Sequence, residues 1–144
     1  MSENVVACPS CGRRNRVPAV SRGVVRCARC HTALPWLVDA DDATFTGAAD
    51  STLPVLVDLW APWCGPCRMV GPAVEAATRR FAGRLKTVKV NVDEAPAVAA
   101  RFGVQGVPTL LILQSGREAA RQVGALPATA LEGWVEGHLA PAGA

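Results

Sequence analysis

The sequence predicts an α/β protein with a mixed central sheet and helices on both faces, preceded by a small cysteine-containing module. Residues 55–60 are apolar on both faces of a strand except for one aspartate, which is typical of a central strand covered by helices on either side. Apolar, β-branched segments alternate with helix-compatible segments through the rest of the C-terminal part. Residues 1–35 instead carry four of the six cysteines and no long apolar run.

The N-terminal module is predicted to be a zinc ribbon. Cys8-Pro9-Ser10-Cys11 and Cys27-Ala28-Arg29-Cys30 are two Cys-x-x-Cys pairs with fifteen residues between them, the spacing of a tetrahedral zinc site made of two knuckles. The predicted ligands are Cys8, Cys11, Cys27 and Cys30. The alternatives are two structural disulfides, unliganded thiols, or His31 in place of one thiolate. A module this short cannot fold on apolar burial alone, so zinc would supply the missing stability.

The boundary between the two predicted domains lies near Leu34-Pro35, where the dense cysteines and arginines end and apolar patterning begins. We therefore predict a zinc-ribbon module over residues 1–35 and a second domain over residues 36–144. No glycine-serine linker separates them, so the ribbon is expected to be tethered closely.

The second domain is predicted to contain five strands and four helices in the order βαβαβαββα. The predicted strands are residues 36–38, 55–60, 85–92, 109–113 and 118–123, and the predicted helices are residues 41–50, 64–81, 93–103 and 127–138. Asp41 or Asp42 is expected to cap the first helix, and Asp93 the third. Pro72 lacks an amide hydrogen and is expected to kink the second helix.

A third Cys-x-x-Cys pair, Cys64-Gly65-Pro66-Cys67, comes where the apolar strand 55–60 runs into a helix, and this context predicts a redox centre. A helix N-terminus favours a thiolate, so Cys64 is the predicted nucleophile and Cys67, one turn deeper, the thiol that resolves a mixed disulfide. Gly65 lets the backbone tighten between the sulfurs, and Pro66 stiffens the first turn.

These residues resemble the thioredoxin family. Trp63-Cys64-Gly65-Pro66-Cys67 matches the active-site motif of that family residue for residue, and Asp58 stands six residues before the first cysteine, where the family keeps a buried acid. The larger domain resembles the thioredoxin fold from Trp36 onward, and the whole chain resembles the bacterial thioredoxin 2 type, in which a zinc ribbon precedes that fold. The resemblance implies a protein disulfide reductase that is recharged by an NADPH-dependent thioredoxin reductase.

Asp58 is expected to be buried, which would raise its pKa and let it accept the proton of Cys67 as general base. The alternative is a solvated aspartate at the end of a strand. Lys89 matches the lysine that the family keeps near this acid, so Asp58 and Lys89 join the two cysteines in the predicted catalytic set.

Gly106-Val107-Pro108-Thr109 resembles the cis-proline loop of the family, in which the residue before proline offers backbone hydrogen bonds to an extended substrate. Trp63 either offers an exposed apolar contact to substrate or packs only against this loop. The predicted substrate-binding residues are Trp63, Gly65, Pro66, Val107 and Pro108.

Charge and composition narrow the function further. Residues 1–36 carry six arginines against Glu3, formally +5, but four thiolates around one Zn²⁺ contribute −2, and no aromatic residue precedes Trp36. The sequence therefore argues against nucleic acid binding. No stretch approaches the roughly 20 apolar residues of a membrane span. Residues 1–7 lack the basic start and apolar core of a secretory signal, which predicts a cytoplasmic protein.

Two other functions stay open at this point. A disulfide oxidase or isomerase would need an oxidising compartment and usually a different dipeptide between the thiols. A redox-responsive zinc-ribbon adaptor or sensor, binding a partner or nucleic acid, would make the redox domain subsidiary and would show salt-dependent binding to nucleic acid.

Overall fold

The structure is a computed structural model, and it describes residues 4–21 and 23–139. The strands are β1 Asn4–Ala7, β2 Arg14–Val17, β3 Leu37–Ala40, β4 Val55–Trp60, β5 Lys86–Asn91, β6 Thr109–Gln114 and β7 Arg117–Val123. The helices are α1 Phe45–Ala49, α2 Gly65–Arg80, α3 Pro96–Arg101 and α4 Ala128–Glu136. None of the helices within these ranges is long and apolar enough to cross a membrane. The predicted domain ends, Met1 and Ala144, lie outside the described residues.

The larger domain is built on a five-stranded mixed sheet in the order β3-β5-β4-β6-β7. Strands β3, β5 and β4 run parallel, and β6 and β7 are antiparallel to their neighbours. Strand β4 lies in the centre, and residues 55–59 of it are buried. Residues 55–60, which are apolar on both faces apart from Asp58, thus form the central strand, as the sequence predicts.

Helices cover both faces of this sheet, so the predicted fold class is confirmed. Helices α1 and α3 pack on one face, where Phe45 and Val98 join the core with Val57 of β4. Helices α2 and α4 pack on the other face, where Val74 and Leu131 join Leu56. Alternate residues of β4 point to opposite faces, so this one strand supplies both cores.

The predicted cap of the third helix is wrong. Asp93 does not cap α3; the carboxylate of Asp42 accepts hydrogen bonds from the amide groups of Ala97 (3.1 Å) and Val98 (2.9 Å). The acceptor thus comes from the loop after β3, which packing brings across the end of α3. Helix α1 is shorter than predicted, because Asp41 Oδ1 accepts from the amide of Thr44 at 3.0 Å and closes a turn before it.

The ribbon module is held by a short antiparallel pair, β1 and β2, and by a bridge between Arg26 and Ala33. Its buried residues belong to the same apolar cluster as the sheet, since Cys27, Leu34 and Trp36 pack in one core with Val38. This contact agrees with the close tethering expected from the sequence. The division at residue 35 stays a prediction, because the core continues across it.

Lys86 and Trp36 join the ribbon to the sheet. The Lys86 ammonium donates a hydrogen bond to the Ala19 carbonyl at 2.6 Å and lies 4.1 Å from the centre of the Trp36 ring. The Trp36 indole donates to the Pro18 carbonyl at 2.8 Å. Burial lowers the pKa of Lys86 to about 8, and the charge of Asp50 opposes this shift. The Lys86 carbonyl contact and cation–π contact therefore offset part of the cost of burying its charge.

The ribbon contacts the amino-terminal end of the parallel strands. Lys86 begins β5, where it pairs with Val55 at the start of β4. The loop containing Cys64 follows the opposite, carboxyl-terminal end of β4. The contact of the ribbon with Lys86 and the Cys64-Cys67 pair therefore lie at opposite ends of the parallel strands.

A substitution at Gly83, beside Ala33 of the ribbon, tests the contact between the ribbon and the larger domain. Gly83 has φ +84°, and a Cβ there would lie 2.8 Å from the Cβ of Ala33 in the ribbon. Gly124 has φ +93° but no atom within 4 Å of its Cβ position. Gly83→Ala should therefore lower the free energy of unfolding by about 1–3 kcal/mol more than Gly124→Ala, because only the first adds a steric overlap to the backbone strain. Urea denaturation measures both variants, and equal losses would mean that the ribbon does not rest on this loop.

Candidate functional site

The central feature of the site is a disulfide at the junction of β4 and α2. Cys64 and Cys67 are joined, with 5.3 Å between their Cα atoms. Cys64 is the N-cap residue of α2, and its Sγ accepts a hydrogen bond from the amide of Cys67 at 3.2 Å. Gly65 and Pro66 form the first turn between them, as predicted, because proline needs no amide hydrogen there.

The position of Cys64 favours its ionised form after reduction. The free amide groups and the positive end of the helix dipole of α2 point at this sulfur. Both cysteines are largely buried, with 4% of Cys64 and 6% of Cys67 exposed, so a substrate disulfide must approach the small exposed part of Cys64. A thiolate at a helix N-terminus is the nucleophile that thiol–disulfide exchange requires.

The loop before β6 lies beside Cys64. The Val107–Pro108 peptide is cis, as the resemblance implies, and the Val107 carbonyl oxygen lies 3.6 Å from Cys64 Sγ. The Thr109 hydroxyl donates to the Gly106 carbonyl at 2.5 Å, and the Gly124 amide donates to the Pro108 carbonyl at 2.9 Å. These bonds hold the loop against the disulfide.

Trp63 lies on the surface beside the disulfide. Its side chain is 68% exposed, and its indole donates to the Asp93 carboxylate at 3.1 Å. The ring is thus exposed while its polar edge is held by Asp93, and contact with a substrate stays a prediction. The partner, Asp93, was missed because its position before Pro96 also fits a helix cap. An open groove of about 330 Å³ is lined by Trp63, Val92, Pro96, Ala99, Val104, Gln105, Gly106 and Val107.

Asp58 is buried behind the disulfide, only 1% exposed, on the α2 side of β4. Burial raises its pKa to about 6, and the positive charge of Lys89 opposes this shift. Asp58 and Lys89 are paired residues of β4 and β5, so the register places them side by side. Both line a cavity of about 270 Å³ together with Cys67. The rise in pKa is the direction that the sequence predicts, and the solvated alternative for Asp58 is excluded.

The four N-terminal cysteines form a second cluster. Their Sγ atoms all lie within 4.8 Å of one another, and the pairs Cys8–Cys30 and Cys11–Cys27 are separated by 3.5 and 3.6 Å. Four thiolates at 2.3 Å from one tetrahedral ion would be about 3.8 Å apart, so the cluster fits a metal ion. Among the described residues this is the one group of cysteine, histidine and carboxylate side chains that could hold a metal, and His31 is not part of it.

The two knuckles repeat one geometry. In each, the amide four residues after the first cysteine donates to that cysteine's carbonyl at 2.9 Å: Gly12 to Cys8 and His31 to Cys27. The donor residue has a positive φ in both, +79° for Gly12 and +64° for His31. Ser10 and Arg29 each donate their amide to the first sulfur of their knuckle at 3.4 Å. His31 thus has a role in the turn, which the sequence interpretation missed.

Comparison with known proteins gives a consistent result. The sequence model of the thioredoxin family matches residues 36–137. Thioredoxin 1 of Nostoc sp. is 50% identical over 99 residues, covering 68% of this chain and 92% of that protein. Thioredoxin of Haemophilus influenzae is 46% identical over 100 residues, covering 69% and 94%. The M-type chloroplast thioredoxin of Chlamydomonas reinhardtii is 37% identical over 133 residues, covering 92% and 94%.

The burial of Asp58 predicts a pH-dependent stability. Its folded pKa of about 6 lies above its ordinary value of 3.8, so its contribution to stability is present below pH 4 and is lost as the pH rises through 6. Asp58→Asn should therefore raise the free energy of unfolding by about 2–3 kcal/mol at pH 8, and by much less at pH 4. Urea denaturation of the oxidised protein at several pH values measures this difference. Asp39→Asn, at an exposed position of β3, is the control, and a pH-independent Asp58→Asn effect would contradict the assignment.

Proposed function

The chain belongs to the thioredoxin family, and from that premise we propose how its residues reduce disulfide bonds in other proteins. The activity is that of a protein-disulfide reductase working by thiol–disulfide exchange. The observation that carries this assignment is the Cys64-Cys67 disulfide at the N-terminus of α2, in a domain that is 50% identical to a thioredoxin over 99 residues.

The first step is nucleophilic attack by Cys64. In the reduced protein its thiolate, stabilised by the N-terminus of α2, attacks one sulfur of a substrate disulfide. A bond forms between Cys64 and that sulfur, and the substrate disulfide breaks. The other substrate sulfur leaves as a thiolate and takes a proton from water. The product is a mixed disulfide between enzyme and substrate.

The second step releases the substrate. Cys67 gives its proton to Asp58, whose raised pKa of about 6 suits a base near neutral pH. The Cys67 thiolate attacks Cys64, the Cys64-Cys67 disulfide forms, and the second substrate sulfur leaves as a thiolate. Lys89 faces Asp58 across the cavity and favours its ionised form before the transfer. One substrate disulfide is reduced to a dithiol, and one enzyme dithiol is oxidised.

Substrate binding is assigned to the surface around Cys64. The exposed ring of Trp63 and the first turn of α2, Gly65 and Pro66, supply apolar contact. Val107 and Pro108 present backbone groups beside the reacting sulfur, and backbone contact makes recognition tolerant of substrate sequence. Protein disulfides are therefore the substrate class.

Repeated turnover needs two electrons for the Cys64-Cys67 disulfide. We assign their delivery to an NADPH-dependent thioredoxin reductase, as family membership implies, and place the protein in the cytoplasm. The reducing environment of that compartment keeps thiols reduced, which a metal site of four thiolates requires.

We assign the metal at the N-terminal cluster as one structural Zn²⁺ held by Cys8, Cys11, Cys27 and Cys30. The donor set is four sulfurs, with backbone amides directed at the first sulfur of each knuckle. Zn²⁺ would cross-link two knuckles that otherwise share only short strands and a small apolar core. The ribbon contacts the sheet through Lys86, at the end of the parallel strands opposite Cys64, so we assign these cysteines no part in the exchange steps.

The reductase assignment is tested by replacing each redox cysteine in the full chain. Cys64→Ser should abolish reduction of insulin, because it removes the N-cap thiolate that attacks the substrate disulfide. Cys67→Ser should keep the first step and accumulate a mixed disulfide, seen by mass spectrometry under non-reducing conditions. A Cys64→Ser variant that reduces insulin at the unaltered rate would refute the assignment.

The zinc assignment predicts one zinc and no iron per chain by elemental analysis. A Cys27→Ser/Cys30→Ser double variant should lose the metal, because a knuckle with two ligands removed binds weakly. His31→Gly should keep one zinc per chain, since glycine adopts the positive φ of this position without strain. A metal-free native protein, or loss of metal in His31→Gly, would contradict this ligand set.

A further inference from the structure

The cavity behind the disulfide contains two buried polar atoms of opposite kind. Within the described part of the chain, Asp58 Oδ1, an acceptor, and Trp60 Nε1, a donor, have no hydrogen-bond partner. Both residues line the cavity of about 270 Å³ that also borders Cys67 and Lys89. Each such unsatisfied group costs about 1–3 kcal/mol, so two of them in one cavity point to a shared partner.

The strand geometry explains why the two atoms face the same space. Asp58 and Trp60 are two residues apart on β4, so their side chains leave the sheet on the same face. Lys89 lies opposite Asp58 on β5, and its ammonium is 5.6 Å from the centre of the Trp60 ring. The carboxylate, the indole and the ammonium therefore surround one volume between the sheet and α2.

We propose that this cavity binds a water molecule that accepts a hydrogen bond from the Trp60 indole and donates one to the Asp58 carboxylate, making Trp60 a positioning residue for the proton transfer from Cys67. The cavity is many times larger than one water requires, and a buried water needs two to four polar partners. Trp60 and Asp58 supply two, and Lys89 can supply a third. This inference rests on the proposed role of Asp58 as base in the reductase reaction.

The bound water would change the balance between the protonated and the ionised form of Asp58. A hydrogen bond donated to the carboxylate favours the ionised form and opposes the effect of burial. The titratable and charged groups around the cavity are Cys67, Arg68 and Glu75 of α2 and Lys89 of β5. Of these groups, Lys89 also favours the ionised form of Asp58. The indole is neutral, so its contribution can be removed without changing the charge of the cavity.

Trp60→Phe is the direct test, because it keeps an aromatic ring and removes only the N–H donor and part of the bicycle. The midpoint of the Asp58 titration, followed by carboxyl-carbon NMR in the reduced protein, should rise by about 0.5–1 pH unit. The pH profile for resolution of the mixed disulfide should move by the same amount, so resolution slows about three- to tenfold at pH values below the midpoint. A merely structural role of Trp60 would change the rate without moving the profile.

Trp134→Phe is the matched control. Trp134 lies on α4, packs beside the other buried residues of that face, and does not line this cavity. The same loss of an indole N–H there should leave the Asp58 midpoint unchanged. An unchanged midpoint in Trp60→Phe, or an equal shift in both variants, would overturn the inference.

The unaltered protein supplies a second test that needs no variant. A high-resolution crystal structure should show a water within hydrogen-bond distance of both Trp60 Nε1 and Asp58 Oδ1, and the Trp60 indole N–H resonance should titrate with the Asp58 midpoint. A dry cavity, or an indole resonance that ignores this titration, would overturn the proposal. These failures are distinct from failure of the reductase assignment, which the Cys64→Ser variant decides and which leaves the water site untouched.

Discussion

The structure depends on the central strand β4, which is hydrogen-bonded on both sides and covered by helices on both faces. Such a strand cannot shift its register without moving two cores at once. Its carboxyl end therefore delivers Cys64 to the N-terminus of α2 at a fixed position. The same strand carries Asp58 into the interior behind the disulfide, so the positions of Cys64 and of the buried carboxyl group both depend on this strand.

Burying the carboxyl group of Asp58 costs stability. The residues around it on β4 are apolar, and the opposing charge of Lys89 only partly offsets the desolvation that raises its pKa. A carboxyl group with a normal pKa would be a weak proton acceptor near pH 7. The unsatisfied Asp58 oxygen and Trp60 indole nitrogen at the adjacent cavity also cost stability, at the same place in the fold.

The ribbon module has a separate physical basis. Its core is small, but it is continuous with the sheet through Trp36, and the buried ammonium of Lys86 is compensated by a ribbon carbonyl and an aromatic face. This contact lies at the amino-terminal end of the parallel strands, whereas the groove beside Trp63 borders the loops at their carboxyl-terminal end. The metal cluster can therefore stabilise the ribbon without obstructing access to Cys64.

The sequence by itself determined the features that depend on residues close together in the chain, which are the strands, the helices and the cysteine pairs. Alternating apolar segments located every strand and helix of the larger domain to within a few residues, and the run at 55–60 identified the central strand. The residues around the three Cys-x-x-Cys pairs separated the metal cluster from the redox pair. The acid inside the apolar run also predicted the direction of its pKa shift. Each of these signals is local, because burial periodicity and ligand spacing are recorded in consecutive positions.

Only the tertiary structure decided which distant side chains meet. Asp42 caps α3 from 55 residues away, Asp93 binds Trp63 rather than a helix end, and Lys86 reaches back to the carbonyl of Ala19. Trp60 gave no sign in the sequence that its indole nitrogen would remain buried without a partner. Such contacts form when folding brings together residues that are far apart in the sequence. The residues next to each of them in the sequence give no signal of the contact. A short polar side chain such as that of Asp42 or Asp93 can cap a helix or bind another side chain. Which of these it does depends on the groups that packing places beside it.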